Sequence, residues 1–191
     1  MGAIAASLTK LNFEIDLGDV EQSAKVNGHG QAKILTDDDL VRLFGEGLTT
    51  SRDRALFAIC LFTGCRVSEA CQLRAEDVRD GLISFRKGTT KTKATRQVDM
   101  PPALAPWLQE YRVEGEYLFP GRHGRGHLRR QSADLILREA CDRIGLQGVS
   151  THSFRRTYIT RLRDKGYSPA QIQRRTGHKQ RANLLHYFDQ V

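Results

Sequence analysis

Thr151-His152-Ser153-Phe154-Arg155-Arg156-Thr157-Tyr158-Ile159-Thr160-Arg161-Leu162 carries two patterns at once. Phe154, Tyr158 and Leu162 recur every four residues, which predicts a helix with a buried apolar stripe, capped by Thr151 and running to about Lys165. His152 and Arg155 are three apart and share a face beside that stripe. They stand near the helix N-terminus, where backbone amides and the helix dipole favour an anion, so the pair is suited to a phosphate. By itself such a pair is more often an ordinary solvated face, and its meaning depends on what the rest of the chain places beside it.

Outward from this helix the chain predicts more of the same. Ser168-Pro169 opens a helix that ends at Gly177, and a last one carries Leu184, Leu185 and Phe188. On the other side, Ser132 caps a helix through about Ile144, and Pro101-Pro102 supplies the first turn of one carrying Leu104, Trp107, Leu108 and Tyr111. A short helix spans about Val67 to Leu73. Before it, a nearly all-buried helix starts at Ser51, carries Ala55, Leu56, Ile59, Cys60 and Phe62, and stops at Gly64. Thr36, with Asp39 at the capping-box position, starts a helix striped by Leu40, Leu43 and Phe44 and ended by Gly45 and Gly47. The convincing sheet signal is a hairpin, Leu82–Phe85 and Arg96–Met100, with a long basic tip from Arg86 to Ala94. The fold class is therefore mainly α with a small antiparallel β-sheet, α+β. In the first 33 residues Leu11, Phe13, Ile15 and Leu17 alternate as in a strand, but Gly28-His29-Gly30 reads as a linker. Residues 1–33 are expected to form an arm and residues 34–191 the folded domain.

Composition bounds the function. A chain of 191 residues, 39% hydrophobic and 27% charged, has room for one real core and fits neither a disordered nor a membrane protein. No apolar run nears the roughly 20 residues of a membrane helix, and no signal peptide opens the chain, so a soluble cytoplasmic protein without membrane partners is expected. Cys60, Cys65, Cys71 and Cys141 form no C-x-x-C pair and have no His at zinc-site spacing, which predicts plain buried thiols. The formal charge of +8 is unevenly placed: residues 1–120 hold 15 Lys and Arg against 17 Asp and Glu, residues 121–191 hold 15 against 5. Arginine dominates the basic part, and its planar fork matches phosphate geometry, so a polyanion such as nucleic acid is the expected partner.

Three further motifs join the His152–Arg155 pair. Thr63-Gly64-Cys65-Arg66-Val67-Ser68-Glu69 sets an arginine between a buried helix and the next one, Thr176-Gly177-His178 sets a histidine just past a helix end, and Tyr187 follows nine residues later. In this order the motifs resemble those of the tyrosine recombinase (phage integrase) family, over roughly residues 34 to 189. The resemblance implies that family's catalytic-domain fold, shared with type IB topoisomerases. It also implies a site of Arg66, Lys91, His152, Arg155, His178 and Tyr187. Lys91 is chosen among the hairpin-tip lysines because Lys91-Thr92, five residues before Arg96, matches the family's K-T-x-x-x-R pattern; Lys93 is the runner-up and Lys87 a solubilising residue. The implied chemistry is DNA breaking and rejoining. Arg66 and Arg155 neutralise the phosphodiester, Tyr187 attacks to give a 3′-phosphotyrosyl link, and His152 assists as base. Lys91 protonates the leaving 5′-oxygen and His178 hydrogen-bonds the phosphate.

The implied partner is double-stranded DNA, with self-association into a synaptic tetramer on it. The implied setting is a nucleoid-associated protein of prokaryotic or phage origin, needing no cofactor and no metal. Arg122, Arg125, Arg129 and Arg130 in a glycine-rich loop, and Arg174, Arg175, Lys179 and Arg181 around His178, are candidates for backbone-phosphate contacts. Two departures from the family stand out: 33 residues cannot form its separate core-binding domain, and little chain follows Tyr187. They leave open a regulatory, non-enzymatic DNA-binding module, and a topoisomerase-like relaxase is the other alternative.

Overall fold

A computed structural model describes residues 31–86, 88, 95–111, 115–180, 182–185, 187 and 188. The strand-like alternation at Leu11 to Leu17, the lysines Lys87, Lys91 and Lys93, and Arg181 lie outside the described residues. At the near end of the expected arm, Ala32 is buried and the Lys33 amide donates to the Gly148 carbonyl (3.0 Å), so these residues already pack on the domain.

The chain opens as its capping residues dictate. Thr36 Oγ1 accepts from the Asp39 amide (3.1 Å) and Asp39 Oδ2 from the Thr36 amide (3.0 Å), which starts α1, Asp37–Arg42. Gly45 does not end this helix. A π-helical turn, Leu43–Gly47, continues it and buries Leu43 and Phe44. The helix α2, Ser51–Thr63, is buried on nearly every side from Ala55 to Thr63 and stops at Gly64, whose φ of 61° caps it in the left-handed region. The next helix, α3, Val67–Cys71, is two residues shorter than its sequence signal. The sheet has one strand more than expected: β1, Val78–Arg79, pairs antiparallel with β2, Leu82–Phe85, which pairs antiparallel with β3, Arg96–Asp99. A two-residue strand is too short to show alternation.

Pro102 opens a short 3₁₀ turn before α4, Ala105–Glu110, so the proline pair starts a composite helix rather than a single one. The helix α5 covers Arg130–Arg143 and takes in Ser132, expected as its cap; Arg129 holds the N-cap place with no side-chain bond. Ser150 rather than Thr151 caps α6, Thr151–Asp164: its hydroxyl accepts from the His152 amide, and Ser153 reaches back to the Ser150 amide (3.1 Å). Ser168 caps α7, Pro169–Thr176, as expected, and Gly177 with φ 66° closes it. The last helix, α8, is only Ala182–Leu185, and Phe188 stands beyond it in a turn.

Two apolar clusters result, and α6 joins them. Its Phe154 stacks on Phe57 (centroids 5.1 Å apart) within the main core of α1 to α5 and the sheet. Its Ile159 and Leu162 pack with Ile172 and Leu184 in a second cluster, against which Tyr158, Tyr167, Tyr187 and Phe188 lie. The stripe read as Phe154, Tyr158 and Leu162 is thus divided, Phe154 packing in the main core and Tyr158 and Leu162 in the second, because α6 passes from one core to the other along its length. The four cysteines are buried and unbridged. No helix among the described residues is long and apolar enough to cross a membrane.

Candidate active site

Two Thr-Gly turns end α2 and α7, and they are built alike. In each, the threonine hydroxyl donates to the carbonyl one turn back, Thr63 to Ile59 and Thr176 to Ile172 (both 2.7 Å), and a left-handed glycine reverses the chain. A residue with a Cβ could not replace Gly64, since that carbon would come within 2.3 Å of Tyr158 Cδ1. Arg155, from α6, ties the two turns together: Nη1 donates to the Gly64 carbonyl (2.7 Å) and Nη2 to the Thr176 carbonyl (3.0 Å). Its residue is only 5% exposed, and it spends its donors on helix-end carbonyls, where the dipole favours a cation. Burial, then the neighbouring Arg66, lowers its pKa to about 10, still well above neutrality.

His178 follows the second turn. Its Nδ1 lies 2.7 Å from Thr176 Oγ1, whose own proton goes to Ile172, so Nδ1–H is assigned as donor to that hydroxyl and Nε2, 3.1 Å from Arg155 Nη2, keeps its lone pair. Burial and the guanidiniums of Arg155, Arg66 and Arg96 push the ring's pKa down to about 3, so it is neutral at physiological pH.

Among the described residues, one carboxylate stands among the arginines of the site. Glu69, 1% exposed, accepts through Oε2 from the Arg66 amide (3.0 Å) and Arg96 Nη2 (3.1 Å), and through Oε1 from Arg66 Nη1 (3.1 Å). Burial alone would raise the Glu69 carboxyl; Arg96 and Arg66 outweigh it and hold it below the usual range. Two guanidiniums therefore share the carboxylate, and a third, Arg155, is held by carbonyls beside an uncharged imidazole. Such an excess of partly buried positive charge is what an anion, and a phosphodiester in particular, would balance.

The structure thus brings Arg66, Arg155 and His178 together. His152 lies one turn before Arg155 on α6 and is exposed, unlike Arg155, so the two do not share an environment as their spacing suggests. Tyr187 is half-buried against the second cluster: Arg163 Nη1 donates to its carbonyl (2.6 Å) and the Arg156 guanidinium lies 5.8 Å from its ring centroid. Burial pushes its phenol up, while Arg156 and Arg155 pull it partly back. Lys91 is outside the described residues. Two members stand in the motifs of the sequence but have no part in the site as read from them. Glu69 closes the Thr63–Glu69 motif, an acid three residues after the Arg66 that precedes a helix; Arg96 ends the K-T-x-x-x-R pattern and lies two residues before the inward Val98 on β3.

Of the residues expected on the DNA surface, Arg122, Arg125, Arg129, Arg174 and Lys179 are exposed, and so is Arg130, whose Nε lies 3.4 Å from Asp134 Oδ2. Arg175 differs. It is half-buried, its guanidinium lies 5.2 Å from the Tyr167 ring centroid, and its charge offsets part of the rise that burial gives the Tyr158 phenol.

Comparison with known proteins bears on this geometry. The sequence pattern of the phage integrase family matches residues 33–190. A tyrosine recombinase of Thermosipho africanus is 29% identical over 163 residues, 82% of this chain and 58% of that protein. Tyrosine recombinase XerA of Thermococcus kodakarensis is 31% identical over 155 residues, 76% and 54%. The probable integrase/recombinase YoeC of Bacillus subtilis is 30% identical over 142 residues, 72% and 77%. The chain spans little more than half the length of the first two. Among solved structures, XerA recombinase superposes with a TM-score of 0.69 at 25% identity, covering 80% of this chain and 59% of that one. The Tn1549 transposon integrase in complex with transposon right-end DNA shares the fold, with a TM-score of 0.70 at 18% identity over 83% and 61%.

Proposed function

Because the chain belongs to the phage integrase family, we propose that it is a site-specific DNA strand transferase that cuts and rejoins DNA through a 3′-phosphotyrosyl intermediate. Residues 34–191 are its catalytic domain. The observation that carries this reading is the charge imbalance at the site: among the described residues Arg66 and Arg96 share Glu69, Arg155 is held by carbonyls and the His178 ring rather than by a carboxylate, and His178 is neutral. A phosphodiester gains negative charge on its non-bridging oxygens as a nucleophile adds, and preorganised cations stabilise that state more than the ground state. Double-stranded DNA is the partner, as transposon-end DNA is for the Tn1549 integrase, and self-association on it into a synaptic tetramer is the arrangement in which exchanged strands meet. Action on the nucleoid of a prokaryotic or phage-bearing cell fits the same reading.

Each residue then has a role. The phenolic oxygen of Tyr187 attacks phosphorus; its proton passes to His152, because a phenol with a pKa raised from about 10 needs a base. The P–O5′ bond breaks as Lys91 gives its proton to the departing oxygen. Arg66 and Arg155 hold the two non-bridging oxygens. The phosphate's charge favours the His178 imidazolium, which then has an Nε2–H to donate as well. The products are a 3′-phosphotyrosyl bond and a free 5′-hydroxyl, and the reverse sequence rejoins the strand with no further energy source. The exposed Arg122, Arg125, Arg129, Arg130, Arg174 and Lys179, with Arg181, hold the backbone to either side.

The target site itself can be selected in the test. A pool of duplexes with randomised sequence, nicked so that the short 5′ fragment escapes after cleavage, is incubated with the protein, and covalent complexes are trapped in detergent and sequenced. The expected result is an adduct enriched for one site, lost in Tyr187→Phe while binding persists. Site-specific binding with no adduct from the wild-type protein would reduce the chain to a regulatory DNA-binding module. Plasmid relaxation without site preference would make it a topoisomerase-like enzyme.

A further inference from the structure

Arg96 belongs to the cation cluster of the site but takes none of the steps just described, and it is tightly held. Its side chain is 11% exposed. The guanidinium carbon lies 4.2 Å from the Phe85 ring centroid, and on the neighbouring turn Gly177 leaves it room: a Cβ there would stand 3.1 Å from Arg96 Nη1. Nε–H donates to the Arg175 carbonyl (3.2 Å), near the end of α7, and Nη2–H to Glu69 Oε2 (3.1 Å). One planar group therefore spans the root of the hairpin, the turn that carries His178, and the carboxylate that holds Arg66.

We propose that Arg96 is a positioning residue of the strand-transfer site, which fixes Glu69 so that Arg66 is aimed at the phosphate instead of being neutralised by its own partner. The proposal rests on the strand-transfer reading. Glu69 has two claimants on it, and geometry divides them: Oε2 serves the Arg96 guanidinium and the Arg66 amide, which leaves Oε1 alone for Arg66 Nη1. With Arg96 removed, Oε2 keeps the Arg66 amide but regains a lone pair, so the Arg66 guanidinium can take both oxygens as a bidentate pair, the favoured arrangement for arginine and carboxylate. Arg66 would then be turned from the phosphate, and the excess positive charge of the cluster would fall. A lysine is not equivalent: its three donors radiate from one nitrogen, so they do not span the Arg175 carbonyl and Glu69 as Nε and Nη2 do, and it has no planar face to stack on Phe85.

The experiment compares Arg96→Lys, Arg66→Ala and the double variant by single-turnover adduct formation on the trapped site, with DNA affinity measured in parallel. Arg96→Lys should bind DNA within about twofold of wild type and form adduct about 100-fold more slowly, the cost of a small misplacement of a reacting group. The double variant should be no slower than Arg66→Ala alone, because Arg96 acts through Arg66. A double loss equal to the product of the single losses would overturn the proposal, as would a wild-type rate in Arg96→Lys. A second measurement does not depend on cleavage: the Nε–H NMR signal of Arg66 in the DNA-free protein should move in Arg96→Lys, and a signal coincident with wild type would contradict the role. If wild-type protein forms no adduct, the strand-transfer reading fails and the NMR result alone decides whether Arg96 sets Arg66. Unfolding of both Arg96→Lys and Arg96→Gln would make Arg96 a stability residue and end the proposal.

Discussion

At the scale of single residues, the same arginines hold the buried Glu69 charged and the half-buried His178 neutral. Glu69 is charged because Arg96 and Arg66 hydrogen-bond it; His178 is neutral because burial and those same cations disfavour a further positive charge. Glu69→Gln removes the one carboxylate on which Arg66 and Arg96 converge, and breaking a buried ion pair in this way should cost about 3 kcal/mol, measured by urea denaturation. The neutral His178 gives a pH dependence of definite sign. In the folded protein the ring takes up no proton until about pH 3, whereas in the unfolded chain it does so near about 6.5. Acid therefore favours the unfolded chain, and melting temperature should fall from about pH 6.5 downward, before carboxylates such as Glu69 begin to contribute near about pH 4.3. His178→Asn should flatten the curve over that window; an unchanged slope would mean the ring is not held neutral. Of these states the motifs gave identity and order only. Arg155 and His152, alike in the helix pattern, separate into a buried and an exposed residue because α2 and α7 close over one of them, and that closure is tertiary.

At the scale of elements, glycines set the site as firmly as cations do. Gly64→Ala meets both a left-handed φ of 61° and a contact of 2.3 Å with Tyr158, so it should destabilise by at least about 2 kcal/mol and disturb Arg66 two residues on. Gly177→Ala has φ 66° with only Arg96 at 3.1 Å and should lose about 1 kcal/mol less, since a flexible side chain can yield. Gly45→Ala is the internal control: it has no atom within 4 Å and no positive φ, and it should raise the melting temperature slightly. Calorimetry on the three variants checks the order. The positions of most helices were legible because capping residues and apolar spacing agree, as at Thr36 and Ser168. Where they failed, the cause is local. Ser132 lies inside α5 because packing of Ala133 and Leu137 extends the helix past a good cap, and Gly45 is passed over because Leu43 and Phe44 bury more than a glycine stop costs. The strand β1 exists only because β2 is there to pair with it.

At the scale of the whole molecule, the split between a mildly acidic first part and a strongly basic last 71 residues resolves into three kinds of arginine. Arg155 is buried in the site, Arg175 is packed on tyrosines, and Arg125 and Arg174 face solvent. Away from the scissile phosphate, the last kind should release counterions from DNA and the tyrosine-packed kind should not. Arg125→Ala and Arg174→Ala should each lower the slope of log affinity against log salt by about 0.9, whereas Arg175→Ala should leave it unchanged. Fluorescence anisotropy across a salt series separates the classes, and an equal drop for Arg175→Ala would mean that its stack on Tyr167 opens to meet the duplex. The composition foretold a polyanion surface but could not sort these roles, because the sorting depends on which residues α6 and α7 turn inward.

The central claim is that Tyr187, and no other tyrosine, becomes joined to DNA. Peptide mapping by mass spectrometry of the trapped adduct tests it most directly. A nucleotide carried through its 3′-phosphate on the peptide containing Tyr187 is the predicted result; the same mass on Tyr158 or Tyr167, or no modified tyrosine in a protein that binds its site, would contradict it.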